Sequence, residues 1–115
     1  MTLQEMKRHL DGTELDLRGQ DITDDDLKHL SEMLFIEMLD LCGTKIGDDA
    51  LIHVKNLQNL KWLDLSGTRV TDDGLPHLYK IKTLKRVYLD GTIIWSSAAS
   101  KLEDALPNCY VYYSE

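Results

Sequence analysis

The chain has 115 residues, of which 43% are hydrophobic and 29% are charged, and its formal net charge is −7 at pH 7. This length predicts one domain with a modest core, and the acidic balance disfavours a nucleic-acid partner, which requires clustered lysine and arginine. The sequence contains neither the roughly 18 consecutive apolar residues of a membrane span nor the apolar core of a signal peptide. We therefore expect a cytoplasmic protein with neither a nucleic-acid nor a membrane partner.

A repeat of 24 residues runs through the chain. Its two most similar copies are LDLCGTKIGDDAL, which begins at Leu39, and LDLSGTRVTDDGL, which begins at Leu63. Its opening triplet recurs at Leu15, Val87 and Val111. Self-similarity at a period of 20–50 residues is typical of a solenoid, in which each unit buries its apolar face against its neighbours.

The two ends of the chain contain parts of a unit. Residues 1–14 precede the first triplet, and Leu3 and Met6 occupy columns of the back half of a unit, so we interpret this segment as an N-terminal half-unit or cap. Residues 107–115 contain the last triplet and are interpreted as the last strand and C-terminal cap. The sequence therefore predicts a single domain over residues 1–115, with about four and a half units.

Within each unit the spacing between apolar residues changes from two positions to about three. Leu63 and Leu65 alternate with a polar residue, which predicts a short strand with two inward-facing leucines. From Asp72 onward, apolar residues at 75, 78 and 81 predict a helix, and the acidic residues at its start are expected to cap its own amides. Stacking the units predicts a curved parallel sheet of five strands on the concave side and helices on the convex side.

The pattern LxLxGTxxTDxGLxxLxxLxxL resembles the leucine-rich repeats of the ribonuclease-inhibitor-like superfamily, and is closest to the LDLSGTxVTDxGL arrays of bacterial proteins. The ending ALPNC, residues 105–109, resembles the ends of such arrays. The resemblance implies an α/β leucine-rich-repeat solenoid that binds another protein. It also implies that Thr44, Thr68 and Thr92 hydrogen-bond the turn backbone, at a position that Gln20 occupies in the first unit.

Candidate catalytic and metal-binding groups occur as columns of the repeat. Three histidines recur on the predicted helices: His29, His53 and His77. Helix axes pack about 8–10 Å apart and zinc needs ligands at about 2.1 Å, so neighbouring units would share an ion poorly. Three aspartates recur on the strands, at 16, 40 and 64, where stacked carboxylates can raise one another's pKa or bind a cation. Since this aspartate is part of the repeat that the chain resembles, we predict no metal, no cofactor and no catalytic residue set.

The two cysteines are expected to be free. Cys42 and Cys109 lie near the second and fifth predicted strands. Three strand spacings of about 4.8 Å separate them, which exceeds the roughly 7 Å between Cα atoms that a disulfide spans. Free thiols are consistent with a reducing compartment.

Large side chains on the sheet are the strongest functional signal. The column before the first inward residue reads Glu14, Met38, Trp62, Arg86 and Tyr110, and the next outward column reads Asp16, Asp40, Asp64, Tyr88 and Tyr112. Tryptophan, tyrosine and arginine dominate the energetics of protein interfaces. We predict a protein-binding site centred on Trp62, Arg86 and Tyr88. Its full set is Met38, Asp40, Trp62, Asp64, Arg86, Tyr88, Tyr110 and Tyr112.

Other interpretations stay open. Tyr110 and Tyr112 would equally cover the last strand as a cap, and Trp95 is expected to pack the last turn. Non-enzymatic protein–protein binding is the predicted function. The alternatives are a small acidic inhibitor or immunity-type protein that blocks a basic enzyme site, and a structural module that stacks through its open ends. The composition is compatible with a basic partner and with a monomer.

Overall fold

The computed structural model describes residues 1–114 and has a mixed α/β fold with one six-stranded sheet. The strands lie side by side in chain order: β1 (Leu10–Asp11), β2 (Glu14–Asp16), β3 (Met38–Asp40), β4 (Trp62–Asp64), β5 (Arg86–Tyr88) and β6 (Tyr110–Tyr112). From β2 to β6 each strand pairs in parallel with the next, at a constant offset of 24 residues. The predicted register is confirmed, and each strand begins one residue before its predicted triplet.

The prediction of a purely parallel sheet is wrong at the N-terminal edge. Strand β1 pairs with β2 in the antiparallel direction, with Leu10 opposite Leu15. A two-residue turn joins the strands, and its Gly12 has a φ of +60°, which glycine adopts without steric cost. This hairpin covers the edge of β2, so β1 is the edge strand at the N-terminal end of the sheet.

Helix α1 (Leu3–Lys7) precedes this hairpin and begins with a capping box. The side chain of Thr2 accepts a hydrogen bond from the Glu5 amide, and the Glu5 side chain accepts one from the Thr2 amide. Met6 is fully buried, and the amino group of Met1 lies 3.0 Å from a carboxylate oxygen of Asp26. The first residues are thereby held against the first complete unit.

The helical side contains more 3₁₀-helix than the sequence predicted. The 3₁₀ helices span Asp25–Glu32, Asp48–Ala50 and Asp72–Leu78, and the α-helices are α2 (Leu51–Val54) and α3 (Ser96–Ala105). Buried residues recur at every third position, as in Leu75, Leu78 and Ile81. A 3₁₀ helix has three residues per turn and aligns such positions on one face. The same spacing of three separates the buried Leu51 and Val54 of α2, so it identifies the buried face of each helix and not the helix type. No helix within residues 1–114 is long and apolar enough to cross a membrane.

The expectation that the acidic residues at the helix starts cap their own helix holds for Asp26, which accepts the Thr23 amide at 2.8 Å, and is wrong for the first acidic residue of each run, which binds the next unit. Asp24, at the N-cap of the first 3₁₀ helix, makes no capping bond to that helix. Carboxylate Oδ1 atoms instead accept backbone N–H groups 23 residues further on: Asp24 from Gly47 (2.7 Å), Asp48 from Thr71 (2.7 Å) and Asp72 from Trp95 (3.0 Å). These bonds link consecutive units on the side of the sheet where the helices begin.

The predicted threonine ladder is confirmed. The hydroxyl groups of Thr44, Thr68 and Thr92 each donate to a main-chain carbonyl three residues earlier, at 2.8, 2.7 and 2.6 Å. Thr44 and Thr68 are buried, so these bonds satisfy polar groups inside the turn that follows each strand. The turn geometry is thereby repeated from unit to unit.

Both cysteines are free thiols, as predicted. Burial raises the pKa of Cys109 to about 11, and burial followed by the neighbouring charges of Asp64 and Asp40 raises the pKa of Cys42. We expect a thiol reagent to count two groups in the denatured, unreduced protein. In the folded protein at mildly alkaline pH, Cys42 should react before Cys109 because it is the more exposed of the two. A count of zero after denaturation would contradict the strand positions of both residues.

Candidate protein-binding site

The predicted site residues come together on one face of the sheet, called here the open face. Because Leu39, Leu63 and Val87 point into the core, the residues on either side of them point outward. The eight predicted residues occupy these outward positions on β3 to β6: Met38, Asp40, Trp62, Asp64, Arg86, Tyr88, Tyr110 and Tyr112. The columns inferred from the repeat are therefore columns of the sheet.

Three aromatic side chains form a row across β4, β5 and β6. The ring centroids of Trp62 and Tyr88 are 5.3 Å apart with the planes tilted by 50°, and those of Tyr88 and Tyr112 are 4.6 Å apart and nearly parallel, at 8°. These separations are within the range of favourable aromatic pairs. We call Trp62, Tyr88 and Tyr112 the aromatic row. Its rings support one another, so their positions are set before any partner binds.

Arg86 lies beside the aromatic row and is exposed. It is opposite Trp62 on β4 and opposite Tyr110 on β6. The neighbouring Tyr88 side chain, followed by Tyr112, raises the pKa of Arg86. The guanidinium therefore stays charged, and it can offer its donors to a carboxylate or stack on an aromatic ring of a partner.

The N-terminal half of the open face is acidic. Asp16, Asp40 and Asp64, called here the acidic column, lie opposite one another on β2, β3 and β4. Each Oδ1 accepts the backbone N–H two residues later, at 3.0, 3.0 and 2.8 Å. These carboxylates therefore close the turns at the strand ends. This role was not predicted, although aspartate side chains commonly accept the backbone N–H two residues later in a turn.

The charge of Asp40 has a predictable effect on stability. Desolvation, followed by Asp64 and Asp16, raises the pKa of Asp40 above its ordinary value of 3.8. A raised native pKa means that ionisation disfavours the folded state, and that this penalty disappears below the pKa of the unfolded chain. Asp40→Asn keeps an acceptor for the turn, so we expect it to stabilise the protein at neutral pH by a few tenths of a kcal/mol. Denaturant midpoints should show this gain at pH 7 and lose it as the pH falls below 3.8.

A matched control is Glu103→Gln, at an exposed position of α3 away from the sheet. It should change stability little at either pH, as surface substitutions usually do. If Asp40→Asn instead lowers the free energy of unfolding at neutral pH, the prediction is wrong. The negative charge of Asp40 would then stabilise the turn by more than desolvation and the neighbouring carboxylates destabilise it.

The acidic column also brings possible metal ligands together. Donor atoms of Asp40, Cys42 and Asp64 lie within 4.8 Å of one another, and all three residues are half-buried. Both carboxylates already accept a turn amide, and the regular stacking of units accounts for the grouping. The three histidines of the helical column lie outside it. We therefore assign no metal to this group.

Trp62 borders two shallow depressions of the open face. One, of about 110 Å³, is lined by Glu14, Leu15, Asp16, Met38, Asp40 and Trp62. The other, of about 280 Å³, is lined by Thr13, Glu37, Met38, Lys61, Trp62, Lys85 and Arg86. A larger depression of about 480 Å³ lies on the helical side, around Lys55 and His77. On the open face, Trp62 thus separates an acidic depression from one with three cationic side chains.

The prediction for Trp95 is wrong. Its side chain is 71% exposed, although its backbone N–H donates to Asp72 as the equivalent amides do in the other units. Ile93 is 70% exposed and stands in a column that otherwise holds Asp21, Lys45 and Arg69. An isoleucine in an otherwise charged column is the sequence feature that indicates this exposed apolar site. Ile93 and Trp95, called here the C-terminal apolar patch, line a depression of about 180 Å³ with Thr92, Ile94 and Ser114.

Comparisons with known proteins identify the fold. No protein-family model matches the sequence, and no curated protein is significantly similar to it. A structure of leiomodin-1 actin-binding site 2 is similar with a TM-score of 0.75 and 17% identity, over 98% of this chain and 77% of that chain. A structure of Chaetomium Mex67:Mtr2 subunits is similar with a TM-score of 0.73 and 16% identity, over 96% and 86% of the two chains.

A third similar structure is an internalin from Listeria monocytogenes, a leucine-rich-repeat protein. Its TM-score is 0.66 and its identity 22%, over 97% of this chain and 30% of that chain. Similarities at 16–22% identity concern the fold alone. The chain has a leucine-rich-repeat-like fold.

Proposed function

We propose that the chain is a non-enzymatic protein-binding module, a leucine-rich-repeat solenoid of about four and a half units that binds through the concave strand face. The main support for this proposal is the aromatic row, with Arg86 beside it on the open face. Trp62 and Tyr88 are half-buried and pack against each other, yet they point away from the core. Large, rigid, partly exposed side chains of this kind are typical anchors of protein interfaces.

The size of the face supports a binding mode that depends on few residues. Five strands about 4.8 Å apart make the face about 20 Å wide. A standard interface buries about 800 Å² on each partner, and the face offers roughly half of that. Affinity must then come from a few well-packed side chains. The aromatic row is already ordered, so binding orders fewer side chains.

The similar structures support a protein as the class of partner. The leiomodin-1 structure is of an actin-binding site, and the Chaetomium structure is of Mex67:Mtr2 subunits. A reducing, cytoplasmic setting agrees with the two free thiols.

The acidic half of the open face favours a second candidate function, the blocking of a basic enzyme site. Glu14, Asp16 and Asp40 line one depression beside Trp62. None of the ion pairs within residues 1–114 involves these carboxylates or Asp64, so their charge is open to a cationic partner. Such a partner would be held by strongly salt-dependent binding. A partner anchored mainly by the aromatic row would show weaker salt dependence.

The test is quantitative capture from a lysate of the source cells. Immobilised wild-type chain, the variant Trp62→Ala and the variant His53→Ala are compared side by side. A specific partner should be retained by the wild type and by His53→Ala, which changes the helical side, and lost with Trp62→Ala. A partner retained by Trp62→Ala and lost with His53→Ala would move the site to the helices and overturn the proposal.

A further inference from the structure

We infer that the depression of about 280 Å³ beside Trp62, called here the cationic depression, receives a side-chain carboxylate of the partner protein, next to an apolar side chain that packs on the Trp62 ring. This inference rests on the proposed function, because it concerns the partner segment that the open face binds. It deepens that function by assigning a charge to the segment and a place on the sheet where the charge is bound.

The cationic depression has a net positive charge, on a chain whose net charge is −7. Its lining contains one carboxylate, that of Glu37, and three cationic side chains, those of Lys61, Lys85 and Arg86. Glu37 and Lys61 form an ion pair at 2.7 Å. Neither Lys85 nor Arg86 takes part in an ion pair among the residues that the structure describes. These two cations therefore favour an anionic group from outside the chain.

The main chain holds the two cations beside Trp62. The amides of Lys85 and Arg86 both donate to the Lys61 carbonyl, at 2.8 and 3.1 Å. In the register of β4 and β5, Arg86 lies directly opposite Trp62. The backbone from which both side chains extend is thereby fixed relative to the aromatic ring. A ligand bound between them would have to order only the two flexible side chains, which lowers the entropic cost of binding.

Part of the lining is apolar, which selects the kind of anion. Met38 and Trp62 are half-buried and line the depression together with the cations. A free inorganic anion would leave this apolar surface in water, whereas an acidic residue with an apolar neighbour would cover it and also pair with the cations. The planar guanidinium of Arg86 matches the two oxygens of a carboxylate. The lining therefore fits an acidic peptide segment that contains an aliphatic or aromatic residue.

The acidic depression on the other side of Trp62 restricts how such a segment binds. Lys61 and Asp64 are three residues apart along the extended chain of β4, about 10 Å, and the Debye length at physiological salt is about 8 Å. The acidic column is therefore partly screened from the cationic depression. Within its own depression it repels a carboxylate. The acidic residue of the partner is thus directed to one side of Trp62, which fixes the orientation of the segment.

Selection from a phage-displayed library of random peptides, with the immobilised wild-type chain as the target, tests the inference. Enriched peptides should contain aspartate or glutamate close to an aliphatic or aromatic residue. A synthetic copy of an enriched peptide is then compared with a copy in which that acid is replaced by its amide. Fluorescence polarisation should show that the replacement raises Kd about fivefold, the upper range for an exposed ion pair.

A double-mutant cycle locates the carboxylate. The double variant Lys85→Gln with Arg86→Gln removes both cations and keeps polar side chains at two exposed positions. In this variant the change from acid to amide in the peptide should alter Kd by less than about twofold. The matched control is Lys101→Gln, at an exposed position of α3 away from the sheet. With this control the same change in the peptide should still raise Kd about fivefold.

The outcomes separate this inference from the proposed function. If the enriched peptides bind Trp62→Ala as tightly as the wild type, both are overturned. If the peptides require Trp62 but tolerate the amide, or are basic and not acidic, only this inference is overturned. A loss on changing acid to amide that persists in the double variant would place the carboxylate elsewhere and also overturn it. So would a selection that enriches no peptide, in which case the lysate capture still decides the proposed function.

Discussion

Replacing Leu65 with alanine is expected to lower the free energy of unfolding by about 2–5 kcal/mol. Leu65 is fully buried just after β4, and the equivalent residues of the neighbouring units, Leu41 and Leu89, are fully buried as well. Its amide donates to the Tyr88 carbonyl at 2.8 Å, so the backbone on which it sits is fixed by the next strand. The truncated side chain would leave a cavity that neighbouring units cannot fill without losing their own register.

Equilibrium denaturation in urea measures this effect, and Leu34→Ala is the matched control. Leu34 is an exposed leucine, so the same chemical change there should alter stability by no more than about 0.5 kcal/mol. Equal losses in the two variants would show that the inward and outward positions of the repeat had been misassigned.

Replacing Trp62 with alanine is expected to weaken partner binding by at least about 2 kcal/mol, or roughly thirtyfold in Kd. The substitution removes the side chain that separates the two depressions of the open face. It also removes the ring that packs against Tyr88, which would leave Tyr88 free to move before binding. Both losses act on the bound state, through less buried area and a larger ordering cost.

Calorimetry with the partner obtained by capture measures this loss. Phe35→Ala removes an exposed aromatic residue that is not on the open face, and His53→Ala changes the helical side. Neither should alter Kd by more than a small surface effect. Circular dichroism of each variant separates lost binding from lost folding. If Trp62→Ala binds the partner as tightly as the wild type, the aromatic row is not part of the binding site.

The order and register of the parallel strands could be read from the sequence because they depend on a local pattern that repeats. Leu39 and Leu63 are 24 residues apart, and the structure places them directly opposite each other. One inward residue sets the face of each strand, since a shift by one residue would expose it. The same alternation placed Trp62, Arg86 and Tyr88 on the open face.

The features that the sequence did not predict depend on contacts between units or at the ends of the chain. The antiparallel strand β1 forms where Gly12 turns the chain back along β2, at the end of the chain and outside the repeat. Asp48 could cap its own helix or reach the next unit, and the position of the Thr71 amide decided between them. Likewise, Asp72 accepts the Trp95 amide of the next unit, and the Trp95 side chain is 71% exposed. The repeating apolar residues determined the positions and the buried faces of the strands and helices, because burial depends on the spacing of these residues. The tertiary structure decided which polar groups meet, because each carboxylate had several donors within reach and only the assembled stack brings one of them close.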